Sequence, residues 1–301
     1  MKNTWPDRST FLGGSDAAAV LGLSRWSTPL KIWAEKSGQL LPEDISGQIN
    51  VRLGNKLEQT VAEFFMEETD KKVHRVNETI YHPKYPFLAA NIDRRVVGEE
   101  ALLECKTASA WVAKEWAGED IPQEYVIQVL HYLAVTGKKY GYIAVLIGNQ
   151  DFKWKKIERD EEVIKSMIEK EVNFWNNFVV PKVMPMQISY QDSDTLYRLF
   201  PTAEEGSVVE LGDDADKLIE TRNAMVQDKK SLEAQLDRME NEIKAILKEN
   251  ESGESERYIV TWKNQVRSNV DSKKLAEEFP EIHAKVQKEI ALRVLRIKAK
   301  K

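Results

Sequence analysis

The segment NIDRRVVGEEALLECKTAS, residues 91–109, decides the fold of this chain. It contains two short, partly β-branched runs, at 94–97 and 101–106, and both favour strands. The sequence Gly-Glu-Glu at 98–100 lies between them and predicts a chain reversal. The segment therefore predicts a β-hairpin.

Three charged side chains meet on this predicted hairpin. If the reversal centres on 99–100, Asp93 lies roughly opposite Lys106, while strand alternation places Glu104 and Lys106 on one face and Cys105 on the other. Carboxylate oxygens are the ligands that Mg²⁺ prefers, and a neighbouring lysine orients or helps to deprotonate an attacking water. The alternative without a function is an exposed strand that carries ordinary surface charges. However, the run before Glu104 is apolar and predicts a buried strand. Charged residues are rarely buried unless they are paired or bind a metal. We therefore expect a divalent-metal site.

Composition limits the class of protein that contains this hairpin. The chain has 301 residues, of which 42% are hydrophobic and 31% charged, enough for one domain of about 200 residues and an appendage. The single cysteine, Cys105, excludes a disulfide framework and a Cys-rich zinc or iron–sulfur site. No apolar export segment or membrane-spanning run is found, so we expect a cytoplasmic protein. The net charge of −5 argues against a protein that binds nucleic acid over its whole surface, but it allows a local basic groove.

The pattern along 1–185 predicts an α/β core with a mixed central sheet flanked by helices. Ser15 is expected to cap a short first helix and Pro29 to begin a second. A long amphipathic helix follows at 50–69. The rest of the core is read as strands at 73–76, 78–82, 87–92, 94–97 and 101–106, a helix at 121–137, strands at 140–148 and 152–159, and a helix at 160–180.

Beyond this core the character of the sequence changes. Residues 186–213 are read as a linker, and 214–301 as a helical and β accessory module. Its first helix, 214–250, carries a short heptad seam that favours packing within the assembly. A strand is predicted at 254–264, a short helix follows it, and a last strand is predicted at 291–298.

Five further residues are candidates for the same site. Glu58 lies beside the apolar row of its helix and can supply a third carboxylate, or be a solvated helix charge. Gln128 and Tyr132 share one helix face because they are four residues apart. They position the lysine, a ligand or a DNA backbone, or they are only polar groups on a buried helix. Arg8 and Ser15 flank the glycine loop, where a guanidinium, a hydroxyl and backbone amides form a receptor for phosphate, unless the loop is only a turn.

Four motifs in order give the chain a resemblance to a known family. They are LGGSDAAAVLGLSRWSTPLKIWAEKSG, GNKLEQTVAEFF, NIDRRV with LLECKTAS, and QVLHYLAVTG. Together they resemble the YqaJ-type viral recombinases, phage and prophage nucleases related to lambda exonuclease in the RecB-like branch of the PD-(D/E)XK nucleases. The resemblance covers 8–178 and implies a restriction-endonuclease-like core.

The resemblance assigns a role to each residue of the hairpin. Asp93 and Glu104 match the metal ligands of the D…ExK core, and Lys106 matches the water-orienting lysine. Glu58 matches the helix glutamate of a second metal position, and the carbonyl of Cys105 is expected to face the metal. One departure is the isoleucine before the aspartate, where the motif name has proline.

The resemblance also covers the polar pairs outside the hairpin. Gln128 and Tyr132 match the QxxxY motif of the RecB-like branch. Arg8 and Ser15 keep the spacing of the arginine and serine that hold the 5′-phosphate in lambda-type exonucleases.

The implied protein is a Mg²⁺-dependent exonuclease, with two ions and Mn²⁺ as a substitute. It would digest one strand of linear double-stranded DNA from the 5′ end for a RecT- or Bet-like single-strand annealing protein, in a bacterial cell hosting a phage or prophage. A ring-shaped trimer is implied as well. The alternatives are a structure-selective or nicking endonuclease, a non-catalytic DNA-binding or assembly protein, and, most remotely, a small-molecule metalloenzyme.

Overall fold

A computed structural model describes residues 6–118, 120–288 and 292–299. The chain divides into two compact units, one ending at Pro201 and the other beginning at Thr202. Within the described residues, no helix is long and apolar enough to cross a membrane.

A five-stranded mixed sheet organises the first unit, with strand order β1-β4-β5-β6-β7. Neighbouring strands run antiparallel except for β5 and β6, which are parallel and joined by a crossover helix. A separate antiparallel ribbon is formed by β2 and β3. The strands are β1 (Val73–Arg75), β2 (Ile80–Tyr81), β3 (Ala89–Ala90), β4 (Arg94–Val96), β5 (Ala101–Ala108), β6 (Tyr140–Ile147) and β7 (Asp151–Glu158).

Helices cover both faces of this sheet and create two hydrophobic cores. The helices of the unit are α1 (Gly14–Val20), α2 (Pro29–Lys36), α3 (Ile49–Thr69), α4 (Gln123–Thr136), α5 (Glu161–Phe174) and α6 (Ser193–Leu199). On one face α3 packs Val61 and Phe65 against Leu103 of β5. On the other, α4 lies between the sheet and the helices α1 and α5, so it is buried on most sides, as its nearly continuous apolar sequence requires.

Local sequence explains where these helices begin and end. Thr28 caps α2 by accepting from the amide of Lys31 at 3.1 Å, with Pro29 at the first helical position. Gly137 ends α4 at a φ of 69°, a conformation that favours glycine. The predicted helix 160–180 is α5, prolonged by a π-helical turn over Trp175–Val179.

The structure differs from two predictions of local structure, namely the N-cap at Ser15 and the linker at 186–213. Ser15 does not cap α1, because the helix begins at Gly14 and Gly13 is its N-cap. The predicted linker contains α6, and Asp192 before it accepts a hydrogen bond from the hydroxyl of Thr28. Because this buried contact fixes the segment to the core, the first unit extends through Pro201.

The second unit begins with the long helix α7 (Asp213–Leu247). A two-stranded hairpin of β8 (Ser252–Glu254) and β9 (Ile259–Thr261) follows, and then α8 (Ser272–Glu278) and α9 (Pro280–Val286). The strand predicted at 254–264 is confirmed only over β9, because the chain reverses between β8 and β9. The last predicted strand is wrong over 292–298, which hold no strand, and residue 291 lies outside the described residues. The seam residues of α7 are solvent-exposed: Leu232, Leu236, Met239, Ile243 and Ile246.

Candidate active site

The hairpin of β4 and β5 forms as predicted, but its register differs from the prediction. Arg94 pairs with Leu103, so Asp93 lies across from Glu104 and not from Lys106. The reversal lies earlier than expected, because Gly98 takes a φ of 77° and turns the chain there. The carboxylate of Asp93 accepts a hydrogen bond from the amide of Cys105 at 2.8 Å.

Strand alternation places the charged residues of β5 as predicted. Glu104 and Lys106 share the face that α4 covers, and the ammonium of Lys106 lies 2.7 Å from Oε1 of Glu104. Cys105 points to the opposite face, toward the core beneath α3. Burial and the nearby carboxylates of Asp93 and Glu104 raise the pKa of its thiol, so the thiol stays protonated.

Glu104 is the most constrained acid of the site. Only 4% of the residue is exposed, and its Oε1 accepts hydrogen bonds from Lys106 and from Nε2 of Gln128, each at 2.7 Å. Its Oε2 is buried with no hydrogen-bond partner. A buried carboxylate oxygen without a donor is costly unless a cation reaches it.

The electrostatics of Asp93 point to the same need. Burial raises its pKa well above the usual range, and the adjacent charge of Glu104 raises it further, against the lowering by the Cys105 amide and Lys106. Burial lowers the pKa of Lys106, but the charge and hydrogen bond of Glu104 outweigh it, so the net shift is upward. The ammonium of Lys106 therefore neutralises only one of the two negative charges carried by Asp93 and Glu104. The second negative charge is not neutralised.

These observations fit a divalent cation held by few protein ligands. Two carboxylates, an unpartnered oxygen and the raised pKa of Asp93 suit a hard ion such as Mg²⁺, which keeps several waters. Among the described residues, no group of three or more His, Cys, Asp or Glu side chains is placed to enclose a metal. A site with few protein ligands remains, built on the central strand β5 and the residue directly before β4.

Glu58 lies on the α3 side of the site, engaged with an arginine. Its Oε1 is 2.5 Å from Nη1 of Arg94 and 3.8 Å from Nη2 of Arg75. It is close enough to raise the pKa of Asp93. The third carboxylate predicted from the sequence is thus near the pair, yet it is not grouped with it.

The predicted pair on α4 reaches the centre of the site. Nε2 of Gln128 donates to Glu104 and, at 2.9 Å, to the hydroxyl of Tyr132. Burial, and then the charge of Glu104, raise the pKa of Tyr132, so this phenol stays neutral. A Cβ on Gly14 would lie 2.5 Å from the Tyr132 ring, so the glycine loop is needed for α1 to approach α4.

Arg8 and Ser15 form a second polar group next to this centre. Nη2 of Arg8 donates to the Ser15 hydroxyl at 2.8 Å, and both line a cavity of about 420 Å³ with Lys31 and Lys36. The loop amides contribute less than predicted, because the carboxylate of Asp16 accepts from the amide of Gly13 at 2.9 Å.

Two residues of the site were not identified from the sequence. Arg94 is 2% exposed and holds Glu58, and Tyr125 places its ring 5.3 Å from the Lys106 ammonium. Tyr125 could have been found, since it lies three residues before Gln128 on the same helix face. Arg94 carries no such signal, because its partner comes from a distant helix.

Comparisons with known proteins agree with this architecture. Residues 5–139 match the YqaJ-like viral recombinase domain. The uncharacterized protein YqaJ of Bacillus subtilis (strain 168) is 39% identical over 295 residues, which are 97% of this chain and 92% of that protein.

Solved structures share the fold of part of the chain. The alkaline exonuclease LHK-Exo from Laribacter hongkongensis is similar with a TM-score of 0.52 and 21% identity, over 58% of this chain and 91% of that one. LHK-Exo in complex with dAMP gives a TM-score of 0.51 and 21% identity, over 63% and 95% of the two chains. This likeness confirms the fold predicted for the core.

Proposed function

Since the chain belongs to the YqaJ-like viral recombinase family and is a nuclease of that family, we propose that it degrades one strand of linear double-stranded DNA from the 5′ end. The product is a duplex with a 3′ overhang. The observation that carries this proposal is the buried, unpartnered Oε2 of Glu104 beside Asp93, because two buried carboxylates this close together need a cation.

Mg²⁺ is the cofactor, with Mn²⁺ as a substitute. Asp93, Glu104 and the carbonyl of Cys105 would hold the first ion, and Glu58 would contribute with Asp93 to a second. When bound, the ions supply Lewis-acid activation of the attacking water and stabilise charge on the phosphate.

The chain's own residues orient the reacting groups. Lys106, held by Glu104 at 2.7 Å, hydrogen-bonds the attacking water and offsets phosphate charge. Gln128 fixes Oε1 of Glu104 and so leaves Oε2 directed away from the lysine, while Tyr132 anchors the amide of Gln128. Each of these contacts is made before substrate arrives, and such preorganised polar groups are effective in catalysis.

Arg8 and Ser15 set the polarity of digestion. Their paired guanidinium and hydroxyl are placed to bind the 5′-terminal phosphate through charge-assisted hydrogen bonds. The neighbouring Lys31 supports this role, because it lines the same cavity and adds positive charge there. A phosphate held there brings the first internucleotide linkage toward Lys106.

The protein works with other components in a bacterial host that carries the phage or prophage, in its cytoplasm. We propose a ring-shaped trimer around the duplex and a RecT- or Bet-like annealing protein that receives the 3′ overhang. A ring accounts for processive digestion by a chain with a net charge of −5, since the duplex is then retained by enclosure.

End-labelled duplexes test the proposed function. Linear and covalently closed circular DNA are incubated with Mg²⁺ or with EDTA, and the strand that shortens is followed on a denaturing gel. We expect loss of the 5′ label as mononucleotide, a lengthening 3′ overhang, intact circles and no reaction in EDTA.

Matched variants complete this test. Lys106→Ala removes digestion, whereas Lys165→Ala, an exposed lysine of α5, retains it. Cleavage of closed circles would establish the endonuclease alternative, and DNA binding without cleavage would establish the non-catalytic one. Activity retained by Lys106→Ala would overturn the assignment of the site.

A further inference from the structure

We propose that Trp26 is the stacking platform for the base of the 5′-terminal nucleotide. The inference rests on the proposed function, because it concerns how a 5′-phosphorylated end is held before its first linkage is cut. It adds a base-recognition surface to a site whose other groups address phosphate alone.

The position of Trp26 between two cavities is the first argument. The cavity of about 420 Å³ contains Arg8 and Lys31, and a second cavity of about 270 Å³ contains Lys106 and Gln128. Three residues line both: Ser15, Ser24 and Trp26. A nucleotide with its 5′-phosphate in the first cavity and its 3′ linkage at Lys106 must therefore pass Trp26.

The indole is exposed, yet its neighbours hold it in place. Trp26 is 58% exposed, and the guanidinium of Arg25 lies 5.3 Å from its ring centroid. Arg25 is itself fixed by Glu115 at 2.7 Å and by Glu124 at 2.6 Å. A large aromatic side chain oriented by an ion-paired arginine is suited to contact with a flat ligand, since little conformational freedom is lost on binding.

An aromatic row connects this platform to the reacting end. The Tyr125 ring lies 5.7 Å from that of Trp26 at an interplanar angle of 44°, and it stacks on the buried Trp116 at 5.3 Å. The ammonium of Lys106 lies 5.3 Å from the Tyr125 ring. The Tyr125 ring thus connects a base stacked on Trp26 with the ammonium of Lys106.

Aromatic stacking suits an exonuclease that must accept any end. Every base has a π-face, so stacking supplies affinity without strict sequence preference. Purines present larger faces than pyrimidines, so a modest preference for purine ends is expected.

A fluorescent terminal base tests the proposal. A 5′-phosphorylated duplex with 2-aminopurine as its 5′-terminal base is titrated with the protein in EDTA, and a matched duplex carries an abasic 5′ nucleotide. The wild type is expected to quench the fluorescence. Trp26→Leu removes the quenching and weakens end binding on the order of tenfold, Trp26→Phe retains most of both, and Trp111→Leu, a 95% exposed tryptophan that lines neither cavity, changes neither.

The abasic duplex separates stacking from a general loss of fold. Trp26→Leu binds this duplex as well as the wild type does, because no base remains to stack. Equal quenching by the wild type and Trp26→Leu, or an equal loss of affinity for both duplexes, overturns the inference. Failure of the wild type to shorten 5′ ends in Mg²⁺ would refute the proposed function instead, and that outcome is read from the gel and not from fluorescence.

Discussion

Arg94 holds Glu58 at 2.5 Å and ties α3 to the start of β4. The same guanidinium donates to the carbonyl of Asp93 at 2.9 Å and to the side chain of Gln59 at 3.1 Å. Since Arg94 is 2% exposed, its charge requires this partner. Glu58 therefore stabilises the fold by neutralising Arg94, and it can act as a metal ligand only while it keeps this ion pair.

The first prediction separates these duties by substitution. Glu58→Gln keeps a hydrogen-bond acceptor but removes the charge opposite Arg94, so it should lower the free energy of unfolding by about 1–3 kcal/mol, less than for a fully buried pair because Glu58 is partly exposed. Urea denaturation in EDTA measures this, and the cycle with Arg94→Gln should give a coupling energy of at least about 0.5 kcal/mol. Additive effects would contradict the pairing. Glu58→Gln should also bind one Mn²⁺ fewer than the wild type.

The second prediction concerns the cost of the unliganded acid pair. The folded-state pKa of Asp93 is raised by burial and by Glu104, so its ionised form destabilises the metal-free protein at neutral pH. Asp93→Asn should therefore raise the melting temperature in EDTA. The sign follows from linkage: the gain is absent below about pH 4, where Asp93 is protonated in both states, and grows as pH rises toward the raised pKa.

Magnesium should reverse this ranking. The wild type gains stability on adding Mg²⁺ because the ion binds only the folded state, whereas Asp93→Asn gains little. Calorimetry with and without EDTA gives both comparisons. An Asp93→Asn protein less stable than the wild type in EDTA would show that burial does not strain this carboxylate.

How much of the site the sequence predicts depends on how local each relationship is. Glu104 and Lys106 were placed on one face correctly because alternation is a property of a single strand. Spacing also predicts the pair Gln128 and Tyr132, because residues four apart lie on one face of a helix. Both rules need only the spacing along one element.

Relationships between elements were less predictable. The hairpin register was wrong because it depended on which residue adopts a positive φ, and Gly98 did so earlier than the assumed turn. Arg94 was missed because its partner Glu58 is 36 residues away. Polar composition predicts a linker at 186–213, although buried Asp192 attaches this segment to the core through Thr28.

The third prediction tests Gln128 as a positioning residue. Its amide joins Glu104 to Tyr132, so Gln128→Leu removes one of the two donors that fix Oε1 of Glu104 and lets the carboxylate rotate. We expect kcat to fall on the order of 10–100-fold, as for supporting residues around metal ligands, with an unchanged KM for DNA ends. Tyr132→Phe removes only the hydrogen bond between Gln128 and Tyr132, worth about 1 kcal/mol. Its kcat should therefore fall less than that of Gln128→Leu. A change confined to KM would place Gln128 in DNA binding instead.

The fourth prediction tests the polarity determinant. A 5′-phosphorylated duplex should be digested faster than a 5′-hydroxyl duplex, and Arg8→Ala should abolish the difference by slowing only the phosphorylated substrate. Arg8→Lys should restore part of it, because it keeps the charge but not the planar fork. Arg95→Ala, an exposed arginine paired with Glu78, is the matched control. Equal rates on both ends with the wild type would remove Arg8 from this role.

The last prediction concerns a buried ion pair behind the site. His131 of α4 and Glu171 of α5 are both fully buried, with Nδ1 2.8 Å from the carboxylate and Nε2 3.1 Å from the carbonyl of Ala89. Both ring nitrogens face acceptors, so the imidazolium satisfies both. Burial lowers the pKa of His131, but the charge and hydrogen bond of Glu171 outweigh it, and the net shift is upward.

A raised histidine pKa fixes the sign of the pH dependence. The stabilisation is fully present below the unfolded-state pKa of about 6.5 and is lost as pH rises through the folded-state value. Glu171→Gln should therefore lower the free energy of unfolding by about 3–5 kcal/mol at pH 6, and by less at pH 9. Urea denaturation across this range measures the difference, with His74→Asn, at an exposed position of β1, as the control. A difference that does not change with pH would mean that His131 is neutral, in which case one ring nitrogen would face an acceptor without a proton to donate.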